Sequence, residues 1–82
     1  MATYDTDKVD KATLALLYLN VFSDRYVMRS WKGFDWDAMD RLHQKGYIDD
    51  PKGKAKSVVW TEEGLQMAEA LFAELFGLEN TD

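Results

Sequence analysis

The sequence predicts one mainly α domain with a small β-hairpin, ordered helix-helix-helix-strand-strand-helix. Three observations predict it. Apolar residues recur at helical spacing near both ends of the chain. Cap and stop residues bracket four segments: Asp5, Ser23, Asp35 and Thr61 before them, Gly33, Gly46 and Gly77 around their ends. Two short β-rich segments flank a turn containing Pro51 and Gly53.

The first helix is expected from Asp7 to Phe22. Asp5, Thr6 and Asp7 supply a cap and acids for its first turn. Between Ala12 and Phe22 only Thr13 and Asn20 are polar, so this helix needs burial on more than one side. The segment DRYVMRSWK, residues 24–32, is expected to form a second helix. Val27, Met28 and Trp31 then share one face, and Arg25, Arg29 and Lys32 the opposite one. Gly33 ends that helix, and Asp35 caps a third, WDAMDRLHQK, whose stripe is Ala38, Met39 and Leu42. Two helices joined through Gly33 and Phe34 have helix-turn-helix spacing.

Tyr47 to Asp49 and Ser57 to Trp60 read as the two strands of a hairpin with a lysine-tipped loop. Thr61, Glu62 and Glu63 open the last helix, whose apolar face is Leu65, Ala68, Leu71, Phe72, Leu75 and Phe76. The 82 residues form one domain, with frayed ends expected at about 1–5 and 78–82. A chain this short buries only roughly 60–65% of its unfolded surface, and with no cysteine no disulfide can stabilise it.

Charge is segregated. Residues 25–56 hold eight basic and five acidic side chains; the remainder holds two basic and ten acidic, within a net charge of −5. Absent cysteine and an N-terminus without a basic n-region predict a soluble, cytoplasmic protein. The longest apolar run, Leu14 to Leu19, is too short to span a membrane.

Nothing in the sequence makes a catalytic, metal or cofactor constellation. His43 is the single histidine, and Asp37, Asp40 and His43 diverge around a helix rather than converge. The expectation is therefore a protein that is no enzyme and carries no cofactor. Trp31, Phe34, Trp36, Tyr47 and Trp60 could line a small pocket, but core packing is the usual fate of large aromatics.

The predicted order resembles a winged helix-turn-helix. "MDRLHQKGYIDD" resembles the end of a recognition helix running into the wing in MarR- and PadR-like regulators, and "VVWTEEGLQMAEAL" resembles their second wing strand and following helix, where Thr-x-x-Gly recurs. Nearly the whole chain, above all "SWKGFDWDAMDRLHQKGYIDDPKGKAKSVVWTEEG", also resembles a small bacterial family described only as a domain of unknown function. The winged-helix resemblance implies a nucleic-acid-associated regulator acting as a homodimer. Its duplex DNA contacts would be Arg25, Arg29, Lys32, Arg41, Gln44, Lys45, Lys52, Lys54 and Lys56. Its dimer contacts would be Leu14, Leu17, Tyr18, Val21, Leu71, Phe72, Leu75 and Phe76. The alternative is a winged-helix module that docks another protein, since Asp37 and Asp40 on the third helix would repel phosphates. The wing lysines also have a plainer reading, as charges that block edge-to-edge strand pairing.

Overall fold

A computed structural model describes residues 3–77; of the frayed ends expected at about 1–5 and 78–82, residues 1–2 and 78–82 lie outside them. The elements are α1 (Thr6–Leu19), β1 (Val21–Asp24), β2 (Val27–Trp31), α2 (Trp36–Gln44), β3 (Ser57–Val59) and α3 (Glu62–Phe76). The order is thus helix-strand-strand-helix-strand-helix. α1 packs on β2 of an antiparallel sheet ordered β1-β2-β3, with α2 and α3 packed on α1, and the molecule is only 19 Å thick.

Residues 24–32 do not form the expected second helix. They provide the end of β1, a turn and β2, so no helix-turn-helix forms through Gly33 and Phe34. The first helix also stops three residues early. Asn20 caps it, and Val21 and Phe22 open β1. The turn places Arg25 at φ 59°, a left-handed conformation more often taken by Gly or Asn.

The buried partner of β2 explains why its period was hidden. Met28 and Ser30 face the helices, while Val27, Arg29 and Trp31 face away. Ser30 is a polar residue at a core position, so apolar alternation breaks there. Its hydroxyl donates to the Leu17 carbonyl at 2.7 Å and accepts from the Trp60 indole at 2.9 Å. Both partners come from distant segments, and together they satisfy a group whose burial would otherwise cost stability.

The expected hairpin over 47–60 is formed only in part. Ile48 makes a bridge to Trp60, and the Asp49 N–H donates to the Val59 carbonyl at 2.9 Å. The returning strand β3 pairs mainly with β2, through Arg29 opposite Val59 and Trp31 opposite Ser57. Helices α2 and α3 are where the sequence places them. Asp35 accepts from Ala38 N–H and Thr61 from Gly64 N–H as N-caps.

The core joins Leu14, Leu17, Met39, Leu42, Ile48, Val58, Trp60, Ala68 and Leu71. α1 packs on α2, α3 and β2. Thr-x-x-Gly has a steric reason here. The first turn of α3 abuts Tyr47 so closely that a Cβ on Gly64 would collide with the Tyr47 carbonyl. No helix among the described residues is long and apolar enough to cross a membrane.

Candidate functional site: the open sheet face and the lysine loop

The residues expected to touch nucleic acid separate into two groups. Arg41 and Lys45 turn inward onto Asp10 of α1. Arg41 Nε and Nη2 donate to the two carboxylate oxygens at 2.7–2.9 Å, and Lys45 Nζ donates at 3.0 Å. Asp10 is 2% exposed. Burial pushes its carboxyl pKa up, but the hydrogen bonds and charges of Arg41 and Lys45 outweigh this and hold it below the usual carboxylate value. These cations lock α2 to α1. Gln44 is engaged with Asp40 at 3.1 Å. Helix α2 therefore presents Asp37 and Asp40, without its own cations free to offset them.

The second group gathers around the sheet. Strand register puts Phe22, Asp24, Val27, Arg29, Trp31, Ser57 and Val59 on the face opposite the helices. Trp31 stacks on Phe22 with centroids 4.8 Å apart and planes 26° apart, and remains 53% exposed. Arg29 is fixed beside them by its Nε bond to the Ser57 hydroxyl at 2.7 Å.

The lysine loop is tied to the same corner. The Lys32 ammonium donates to the carbonyls of Pro51 at 2.5 Å and Gly53 at 2.8 Å, and its backbone N–H donates to Lys56 at 3.1 Å. The ammonium also lies 5.9 Å from the Trp36 ring. Lys52, Lys54 and Lys56 are exposed around this tether. The nearby acids have local work: Asp35 caps α2, Asp49 accepts from Val59 N–H, and Asp50 from Lys52 N–H.

Charge follows the same division. Residues 21–36 and 49–60 carry six basic and four acidic side chains, while the rest of the chain carries four basic and eleven acidic ones. The segments that build the sheet and the lysine loop thus carry a net positive charge in a chain that is otherwise strongly acidic. Two small cavities lie away from this face: one of about 220 Å³ beside Asp10 and Lys45, floored by Leu14, Leu42 and Leu71, and one of about 160 Å³ between Tyr18, Val21, Met28 and Leu65. The Asp10 charge at the larger cavity is already paired, and among the described residues no buried side-chain nitrogen or oxygen lacks a partner.

Residues 5–78 match the family described as "Domain of unknown function (DUF6429)". The chain belongs to the DUF6429 family. It is 53% identical over 72 residues to "Uncharacterized protein y4hR" of Sinorhizobium fredii (strain NBRC 101917 / NGR234), covering 88% of this chain and 93% of that relative. No solved structure matches it.

In this DUF6429 domain the expected dimer residues also divide. Leu14, Leu17 and Leu71 are buried in the chain's own core and offer almost no surface. Tyr18, Val21 and Phe72 are partly covered, with Tyr18 against Phe72 at 5.6 Å. Leu75 and Phe76 are exposed, as are Leu16 and Leu19, which sequence reasoning did not single out. Of the five aromatics considered for a pocket, Trp60 is core and Tyr47 and Phe34 pack against it. Trp31 and Trp36 stay at the surface. Sequence reasoning missed Phe22 altogether, because it assigned that residue to a helix. Its signal was there in Val21-Phe22, a β-branched residue followed by an aromatic.

Proposed function

We propose that this chain is a nucleic-acid-associated binding module, not an enzyme, whose contact surface is the open sheet face with the lysine loop. The observation that carries the reading is the exposed Phe22–Trp31 stack with Arg29 fixed beside it and the Lys32-tethered lysine loop next to it. Cations for phosphates and an aromatic platform are the two components such binding uses. The class of partner is read from these two components, since the helix-turn-helix that the winged-helix resemblance implied does not form. The contact element is different, because Arg41 and Lys45 of α2 are occupied by Asp10. The regulator reading also has the chain acting as a homodimer. Its support is the exposed apolar ridge of Leu75 and Phe76, continuous through Phe72 with Tyr18.

The test is anisotropy of a labelled oligonucleotide titrated at low and then moderate salt. Replacing Lys52, Lys54 and Lys56 together by Ala should weaken binding and reduce the log–log salt slope by about 2–3. Unchanged affinity and slope would remove the loop from the contact surface. The second reading, a protein-docking module, is favoured by β1. It is an edge strand of the three-stranded sheet, with β2 on one side only. That reading expects no oligonucleotide binding even at low salt.

A further inference from the structure

We propose that the ligand of this face is a single-stranded nucleic acid, one unpaired base stacking on Trp31 while Arg29 and the lysine loop meet the flanking phosphates. The inference rests on the nucleic-acid reading above and narrows it. Trp31 projects from the middle strand of the sheet, and among the described residues no helix covers the face it occupies. Phe22 supports one side of the indole at 4.8 Å, which holds the ring in place before any ligand arrives. About half of the residue's surface remains exposed to solvent.

In a duplex, each base already stacks on its neighbours and shows only its edge. An exposed indole has nothing to stack on there, whereas an unpaired base offers a free π-face. Shape agrees. The major groove admits a helix or a two-stranded ribbon, and this face is three strands wide. The helix that could have entered a groove, α2, directs Arg41 and Lys45 to Asp10 and exposes Asp37. Val27 and Val59 flank Arg29 on the same face and give a base or sugar an apolar floor. The cations border this floor, Arg29 within it and Lys52, Lys54 and Lys56 on the loop leading into β3. Asp24 is the carboxylate on the face itself. It sits at the Arg25 turn, at the end of β1 away from Trp31.

The experiment compares one labelled mixed-sequence oligonucleotide of about a dozen residues as single-stranded RNA, as single-stranded DNA and as duplex DNA. Anisotropy is read at low salt with the wild-type chain, Trp31→Phe and Trp31→Ala. Circular dichroism and melting are measured in parallel, to establish that each variant is folded at the assay temperature; loss of the Phe22 stack should lower the Tm of Trp31→Ala by several degrees without unfolding it. The expected result is tighter binding of a single strand than of the duplex, a loss of about tenfold or more in Trp31→Ala, and near wild-type affinity in Trp31→Phe. Comparing the RNA and DNA arms tells which sugar is preferred. Duplex binding as tight as single-strand binding, and indifferent to Trp31→Ala, overturns this inference and leaves the broader reading standing. No binding of any oligonucleotide overturns both.

Discussion

Arg41 of α2 holds Asp10 of α1 in a bidentate grip, its nitrogens 2.7–2.9 Å from the two carboxylate oxygens. Lys45, the C-cap of α2 one turn further on, reaches the same carboxylate at 3.0 Å. One buried acid thus takes two cations that the sequence offered to a ligand. Asp10→Ala should cost about 3 kcal/mol, the lower end for losing one member of a buried pair, because Arg41 and Lys45 keep contact with water. Urea unfolding measures this. A cost below about 0.5 kcal/mol, the level of an ordinary surface change, would mean the grip is incidental.

The same pair sets a pH dependence. Asp10 titrates below its ordinary value in the folded chain. Its contribution is therefore fully present above about pH 4, the unfolded carboxylate range, and is lost as pH falls through the folded value. The stability gap between wild type and Asp10→Asn should be constant from pH 7 to 5 and should shrink toward pH 3. A gap that widens on acidification would contradict the assignment.

Ser30→Ala should destabilise by about 2 kcal/mol, because the Trp60 indole N–H and the Leu17 carbonyl both lose a buried partner. Thermal melting should show it as a fall of roughly 8–16 °C for a domain of this size. A Tm within a degree or two of wild type would show that the network is dispensable.

Gly64→Ala should cost about 3 kcal/mol, since the obstruction is the Tyr47 backbone and cannot rotate away. An Ala normally favours a helix over Gly by up to about 1 kcal/mol. A stabilised variant would therefore show that α3 can move off Tyr47.

If the proposed homodimer forms, light scattering during size exclusion should give two chains for the wild type and one for Phe76→Asp. Phe76 is 47% exposed in the protomer, so the variant should still fold. A wild type that remains a monomer at high concentration removes the dimer from the proposed function.

Much of the helical framework was legible locally. Asp35 and Thr61 mark their helix starts by accepting N–H groups three residues on, which depends on nearest neighbours alone. Gly46 ends its helix region at φ 83°, a conformation that needs no distant partner. β1 and β2 were not legible for the converse reason. Their turn, Asp24 to Val27, lacks the Gly or Asn that announces a hairpin, and Ser30 interrupts the alternation.

The candidate site divides the same way. Basic residues clustered in the middle of the chain, and that was countable. Which cations remain free was not countable, because Arg41 lies 31 residues from Asp10 and Lys45 lies 35 from it. Sequence alone determined the capped helices, β3 and the segregation of charge, all set by local conformational preference and composition. Tertiary structure alone decided that residues 21–31 are a hairpin, that Asp10 pairs with Arg41 and Lys45, and that Phe22 stacks on a half-exposed Trp31. Each of these depends on burial and pairing between distant segments, and burial there outweighs local helix preference.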